Sequence, residues 1–450
     1  MKPLSICEIA KTIGAQYSGP DFLVDEICTD TRKLVPGCLF VALSGDHFDG
    51  HNYIAQALEA GAALAVSHRP DDNPRILQVA DTRQALLDIA GYYRKIIAPK
   101  VAAVTGSVGK TTTKEMTACV LERKFKTLKT PANLNNEVGL SQTLFMLEAD
   151  HQAAMLELGV DGPGQMPPMS MAAAPDLSIL TGIGVAHLAN YKNREGIREE
   201  KLHIRDGMPD GGLLLINADN DLLKDFRDDR LRVLRYGLDD PKCEVKANAL
   251  QENYGNTQFV ISLGSEKYSA EIPAIGRHNV LNALAAFATG ISFGVDPIEA
   301  IYALKDYRPE GMRQKTVKHS GFTFIEDCYN ASPDSVQAAL ATLGGMTGGG
   351  KKIAVLSDML ELGNTEREDH AQIGAFAAGC KIDLLLCTGT LSAEYAAGGQ
   401  RAGLDARHYQ DQEALLAAIK EIAKPGDTLW FKASRGMKLE QVINRLYQEL

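Results

Sequence analysis

The sequence predicts an α/β protein built as three units, and three observations lead there. Apolar runs of strand length alternate with helical stretches along all 450 residues. Several runs are apolar throughout and lack the in-and-out alternation of a half-exposed strand, which marks parallel strands buried on both faces. One run, residues 101–104, passes through a glycine turn into a helix, the layout of a phosphate-binding loop in a mostly parallel sheet.

The first unit, residues 1–80, is a small α/β module. Residues 38–43 form an apolar, strand-like run and residues 53–58 have helical spacing. A helix over Thr82–Ile97, stopped by Pro99, opens the second unit, residues 81–308. Its strands are expected at 101–104, 154–158, Leu177–Leu180 and 212–216, separated by helices, as a P-loop-type, mostly parallel sheet. The third unit, residues 309–450, is Rossmann-like, with strands at 322–325, 353–356, 384–386 and 428–431. Gly344-Gly345 and Gly348-Gly349-Gly350 read as a connection inside this unit, and no internal repeat is visible.

Composition narrows the function. The 47 basic and 57 acidic residues give a net charge of -10 without long single-sign blocks, so neither nucleic acid nor a membrane surface is an expected partner. Glu8 and Lys11 interrupt the place where an export signal would need an apolar core, and no run approaches the roughly 20 apolar residues of a membrane span. Eight cysteines without a C-x-x-C pair read as reduced, mostly buried thiols. A cytoplasmic monomer is expected.

The clearest chemical signal is Thr105-Gly106-Ser107-Val108-Gly109-Lys110-Thr111-Thr112, following the strand at 101–104. Backbone N–H groups of such a turn and the positive end of the next helix attract phosphates, Lys110 adds a charge, and Thr111 can set a hydroxyl on Mg2+. Val104 stands where the common pattern has its first glycine, so the loop is a shortened form. A bare strand-to-helix turn would leave Lys110 a solvated surface lysine. Whether the phosphate is hydrolysed, transferred or sensed stays open at this point.

Further motifs follow in order: Asn133-Leu134-Asn135-Asn136-Glu137-Val138-Gly139, Glu157-Leu158-Gly159, Ala186-His187-Leu188, Lys201, Gly276-Arg277-His278-Asn279-Val280-Leu281-Asn282-Ala283 and Pro309-Glu310-Gly311-Met312-Arg313. With the shortened loop they resemble the Mur ligase family of peptidoglycan synthesis over essentially the whole chain. The segments Asp327-Cys328-Tyr329-Asn330-Ala331-Ser332-Pro333-Asp334-Ser335, Asp358-Met359-Leu360-Glu361-Leu362-Gly363 and Lys432-Ala433-Ser434-Arg435-Gly436-Met437 are similar to the branch that adds D-alanyl-D-alanine. Thr29-Asp30-Thr31-Arg32 and Phe48-Asp49-Gly50-His51 resemble the uridine-nucleotide module of that branch.

The resemblance implies an ATP-dependent ligase that phosphorylates the terminal carboxylate of UDP-N-acetylmuramoyl-tripeptide. The amine of D-alanyl-D-alanine would then attack the acyl phosphate. It makes Lys110, His187, Lys201 and Arg313 the candidate catalytic residues. ATP would be held by residues 105–112 with Asn279, Asn282, Arg313 and Asp327. One Mg2+ would sit on Thr111 and Glu157, and a second on His187 and a carbamate on Lys201. His203 stands two residues beyond Lys201, where the family usually has glutamate. The nucleotide-linked substrate would meet Thr29, Asp30, Thr31, Arg32, Asn135, Asn136 and Glu137, and the dipeptide Tyr329, Asn330, Ser332 and Asp358. Ser434 and Arg435 could serve a substrate carboxylate or cap a loop. Closure of the third unit would shut water out.

From the residues alone, His187 reads first as a structural histidine and Lys201 as an exposed helix lysine. Glu157, a carboxylate that interrupts an apolar run, points by itself to a metal or to a strand end. Two other functions remain open: a related ligase with another acceptor, such as a folylpolyglutamate synthase, and a nucleotide-dependent switch. The sequence leaves open whether the third peptide residue is lysine or diaminopimelate.

Overall fold

The computed structural model describes residues 1–45, 48–185, 188–253, 255–309 and 311–450. Three sheets of four, nine and six strands follow one another along the chain, with two further two-stranded pieces near the N-terminus. The chain is α/β throughout, as expected.

The four-stranded sheet runs Ile27–Cys28, Leu39–Val41, Leu64–Ser67, Ile76–Gln78, all parallel. The helix Thr82–Ile97 has the bounds read from the sequence. Asp81 caps it by accepting from the N–H groups of Arg83 and Gln84, and Ala98 closes it at φ 54° just before Pro99. This helix ties the first unit to the second. Tyr93 Oη accepts from Lys2 N at 2.8 Å and donates to Leu147 O at 2.6 Å. One apolar core runs without a break from Leu4, Ile6 and Leu39 through Leu86 to Val101 and Leu140.

The nine-stranded sheet carries Thr127–Lys129 at one edge, then Ala153–Glu157, Lys100–Thr105, Leu177–Leu180, Leu213–Asn217 and Arg232–Gly237, all parallel. Their side chains are buried on both faces near the centre, which is why these strands read as continuous apolar runs. The chain leaves Lys100–Thr105 toward one side and later returns to its other side. The C-terminal ends of the central strands therefore open at a switch in strand order, where α/β sheets bind ligands.

Beyond Arg232–Gly237 the sheet continues through Val245–Asn253, Asn256–Leu263 and Glu266–Ile272, the last two antiparallel to their neighbours. These strands were not read from the sequence. They do alternate: Val245, Ala247, Phe259, Ile261, Ala270 and Ile272 point into a core shared with the helices Arg277–Phe293 and Pro297–Asp306, while Lys246, Gln258 and Glu271 face away.

The six-stranded sheet is ordered Lys315–His319, Phe322–Asp327, Thr428–Lys432, Lys352–Ser357, Leu384–Thr388, Ala406–Tyr409, parallel except at the first pair. Each run expected here lies within one of these strands. Trp430, fully buried, centres one of its two cores. Among the described residues, no helix is long and apolar enough to cross a membrane.

Candidate functional site

A cleft of about 810 Å3 opens at the C-terminal ends of the central strands, with the third unit forming its opposite wall. Its floor is the phosphate loop. The strand Lys100–Thr105 ends below it, and the helix Lys110–Leu121 starts from Gly109. Gly106 at φ 153° and Gly109 at φ 86° make the bend, and a Cβ on Gly109 would stand 2.7 Å from Asn282 Oδ1. Gly109→Ala is expected to raise the KM for nucleotide severalfold while the melting temperature falls modestly, measured by initial rates and thermal unfolding.

The loop is sewn to the exit of the neighbouring strand. Ser107 N donates to Gly182 O at 2.9 Å, Gly184 N to Ser107 Oγ at 2.9 Å, and Thr181 Oγ1 to Val108 O at 2.6 Å. Ser107, Val108, Gly109, Lys110, Thr111 and Thr112 line the cleft, while Thr105 and Gly106 lie beneath the lining. Lys110 Nζ donates to Gly106 O at 2.8 Å, closing the loop over itself. Desolvation holds the Lys110 ammonium below its ordinary pKa and Arg313 acts in the same direction, against the attraction of Glu157.

Glu157 ends its strand almost fully buried, as a strand-end carboxylate and not a core residue. Its Oε1 accepts from Thr111 Oγ1 at 3.1 Å and from Asn135 Nδ2 at 2.8 Å. Its Oε2 is buried with no hydrogen-bond partner among the described residues. A hydroxyl and an unsatisfied carboxylate oxygen side by side are hard oxygen donors of the kind Mg2+ takes. Asn136 caps the helix Glu137–Phe145 through Gly139 N at 2.8 Å. Glu137 lies 3.6 Å from Arg83, and burial raises its pKa against that partner.

Lys201 is buried on the helix Arg194–Leu202, where the sequence alone suggested an exposed lysine. It does not line the cleft. Its amine has no hydrogen bond or ion pair among the described residues, and burial pushes it down to about 7, with the charge of Lys110 adding and Glu200 opposing. Glu200, beside it, accepts from Gly164 N and Met166 N at 2.7 Å each and so anchors the helix. His187, the other expected ligand of a second metal, lies outside the described residues.

The upper wall joins two units. Asn279 Nδ2 donates to Gln314 Oε1 at 2.6 Å, and Gln314 Nε2 reaches His278 Nε2 at 2.7 Å. Burial lowers the pKa of His278, against the attraction of Asp327 and the hydrogen bond with Gln314. Asn282 accepts from Thr113 Oγ1 at 3.0 Å and donates to Asn279 at 3.3 Å. Arg313 stacks on Tyr329, 3.9 Å from its ring centre. Asp334, at the start of the helix Pro333–Gly345, accepts from Val185 N at 3.0 Å across the cleft.

Asp327 ends its strand in a buried pair, 2.8 Å from Lys432 Nζ, with Trp430 Nε1 at 3.4 Å. Lys432→Met would strand the carboxylate without its counter-charge. We expect a loss of about 3 kcal/mol in unfolding free energy, measured by denaturant titration.

The cleft thus gathers Arg313, Asp327, Tyr329, Asn330 and Ser332 with the phosphate loop, Asn135, Asn136, Glu137, Glu157, Asn279 and Asn282. Other expected site residues stand apart. Thr29, Asp30, Thr31 and Arg32 do not line it; Asp30 caps the turn Thr31–Lys33, and Arg32 holds its carboxyl down to about 2. Asp358 also departs from expectation. Its carboxylate accepts from Thr390 N at 3.0 Å, Ser392 N at 2.8 Å and Ser392 Oγ, so both oxygens serve the start of the helix Ser392–Arg401 and not the cleft. Gln314, Asp334, Lys432, Thr181 and Asn217 line the cleft without having been named as site residues; Asp334 and Lys432 lie inside motifs, Gln314 follows one, Thr181 and Asn217 stand at strand ends, and only strand order brings them together.

Similarity to known proteins follows the same layout. Residues 23–100 match the Mur ligase family catalytic domain, 104–290 the Mur ligase middle domain, and 312–435 the Mur ligase glutamate ligase domain. The UDP-N-acetylmuramoyl-tripeptide–D-alanyl-D-alanine ligase of Bacillus subtilis (strain 168) is 37% identical over 99% of this chain and 98% of its own. A crystal structure of MurF from Acinetobacter baumannii superposes with a TM-score of 0.91 at 29% identity, covering 100% of both chains. The MurF ligase of Thermotoga maritima in complex with ADP superposes with a TM-score of 0.84 at 26% identity, over 94% of this chain and 97% of that one. With three matching domains in order, a relative this similar from end to end and a phosphate loop facing its third unit, the chain belongs to the Mur ligase family.

Proposed function

We propose that this chain joins D-alanyl-D-alanine to the terminal carboxylate of UDP-N-acetylmuramoyl-tripeptide at the expense of ATP. The observation that carries the reading is the single cleft in which a phosphate loop, an unsatisfied carboxylate oxygen on Glu157 and the Arg313–Tyr329 stack of the third unit converge. A carboxylate is a poor electrophile because oxide is a poor leaving group. Transfer of the γ-phosphoryl group onto it gives an acyl phosphate and ADP; the neutral amine adds to the carbonyl carbon, its nitrogen gives up one proton, phosphate leaves from the tetrahedral intermediate, and an amide remains.

The protein's task is to hold anions that repel one another in reacting geometry. Lys110 and the loop N–H groups receive the phosphates, and Arg313 approaches from the third unit. Thr111 and Glu157 fit a Mg2+, which would neutralise charge on the β- and γ-phosphates. Lys201 fits a carbamate: near its pKa of about 7 part of the amine is neutral, its nitrogen can add to CO2, and one proton is released. Asn279, Asn282 and Asp327 serve the nucleotide. Asn135, Asn136 and Glu137 face the UDP-linked acceptor, and Tyr329, Asn330 and Ser332 face the dipeptide. Thr29, Asp30, Thr31 and Arg32 bind the uridine nucleotide away from the cleft. The reaction belongs in the cytoplasm, where ATP is available and the eight cysteines stay reduced.

The test is ADP release by the purified chain with ATP and Mg2+, adding each substrate alone and then both, with mass spectrometry of the product. A pentapeptide formed only with both substrates supports the reaction. No product with either the lysine- or the diaminopimelate-containing acceptor overturns it and leaves a ligase with a different acceptor.

A further inference from the structure

Behind Glu157 lies a buried ion pair that the mechanism does not use. Lys114 stands one turn beyond Lys110 on the same helix and is 0% exposed. Its Nζ lies 2.7 Å from Glu115 Oε1, donates to Thr130 O at 2.8 Å, and approaches Glu157 Oε2 at 4.0 Å. Lys129 pairs with the other oxygen of Glu115, so charges alternate from the surface to the cleft: Lys129, Glu115, Lys114, Glu157. A core-facing position on a helix is ordinarily apolar, and a buried lysine is costly unless its charge is used.

The 4.0 Å separation decides what Lys114 can do. It exceeds the roughly 3.2 Å limit of an N–H···O hydrogen bond, so Oε2 keeps its lone pairs free. It is short enough for the ammonium to compensate the carboxylate electrostatically. A divalent ion about 2.1 Å from Oε2 would stand at most about 6 Å from Nζ and be repelled by it. Lys114 therefore favours the empty, correctly aimed carboxylate and opposes a free divalent cation.

We propose that Lys114 is a positioning residue acting through Glu157: a built-in counter-ion that keeps the metal seat formed while empty and makes divalent-ion binding depend on the arrival of nucleotide phosphates. The added negative charge of the nucleotide overcomes the repulsion, so metal and nucleotide enter and leave together. This rests on the reading of Thr111 and Glu157 as metal ligands.

The test uses Mn2+ as the probe, its binding to the full chain followed by the loss of its free electron-paramagnetic signal, without ATP and, with ATP, as the loss beyond that caused by ATP alone. Lys114→Met/Glu115→Gln removes the pair together, so that neither member stays charged without the other, while Glu157 loses its counter-ion and Lys129 loses Glu115 as a partner. Free Mn2+ is expected to bind this variant about tenfold more tightly than the unaltered chain, with a much smaller change when ATP is present. Glu115→Gln alone leaves the ammonium uncompensated and is expected to weaken free Mn2+ binding, the opposite sign, so the test survives even if the double variant does not fold. Unchanged or weaker free Mn2+ binding by a folded double variant, or unchanged binding by Glu115→Gln, overturns the role of Lys114. Glu157→Gln separates the two levels: ATP-dependent Mn2+ binding that survives this change overturns the ligand assignment itself, whereas its loss there leaves only Lys114 in question.

Discussion

Lys110→Met is expected to lower kcat/KM for ATP roughly a hundred- to a thousandfold while leaving the melting temperature unchanged or slightly higher. The split follows from the environment of the ammonium. Desolvation and Arg313 both disfavour its charge in the empty cleft, and a single bond to Gly106 O at 2.8 Å is its direct hydrogen bond. The folded protein therefore gains little from this cation until phosphates arrive. Once they do, a charge held in a water-poor cleft is worth far more than one in solvent. Lys110→Arg is not expected to restore the rate, because a planar guanidinium cannot occupy the compact position that one Nζ takes inside the loop. Initial rates over a range of ATP concentrations together with thermal unfolding check both halves. A variant that melts far lower, or keeps its rate, contradicts the assignment.

Lys201→Met is expected to reduce ligation by roughly a hundredfold or more and to stabilise the fold at neutral pH. Unfolded, this lysine keeps its proton up to about pH 10.4; folded, it gives the proton up at about 7. Between those values the unfolded chain binds more protons, so the contribution of Lys201 to stability rises with pH across that window. The burial cost is complete below about 7 and is relieved toward 10. In CO2-depleted buffer, the gain in melting temperature from Lys201→Met should be larger at about pH 6.5 than at about pH 9. The activity of the unaltered chain should rise on adding bicarbonate, and that of Lys201→Met should not. A bicarbonate response that persists in the variant would remove the carbamate from Lys201.

Much of the fold was legible because its physics is local. Fully buried parallel strands need apolar side chains on both faces, so Leu177–Leu180 and the runs inside Lys352–Ser357 and Thr428–Lys432 announce themselves. Asp81 and Pro99 bound the helix Thr82–Ile97 by capping and by the missing N–H. The antiparallel extension over residues 245–272 escaped because its side chains alternate, and its inward positions include small residues such as Ala247 and Ala270. Part of the site was legible for a related reason: the phosphate loop is contiguous in sequence, and Glu157 stands out as a charge interrupting an apolar run, which the structure ends at that residue. Asp358 was open to two readings in the sequence, because an acidic residue just after a strand can cap a helix or bind a ligand, and its partners Thr390 and Ser392 are found only in the fold.

By itself, then, the sequence determined the α/β class, the phosphate loop and the order of the family's motifs, since each is written in contiguous residues and short-range periodicity. Tertiary structure alone decided that Lys201 is buried and not solvated, that Glu157 keeps one oxygen unsatisfied, that Gln314 links His278 and Asn279 to the third unit, and that Lys114 stands behind Glu157. The physical reason is that desolvation and pairing depend on neighbours brought in by strand order from far along the chain, and no local pattern records them.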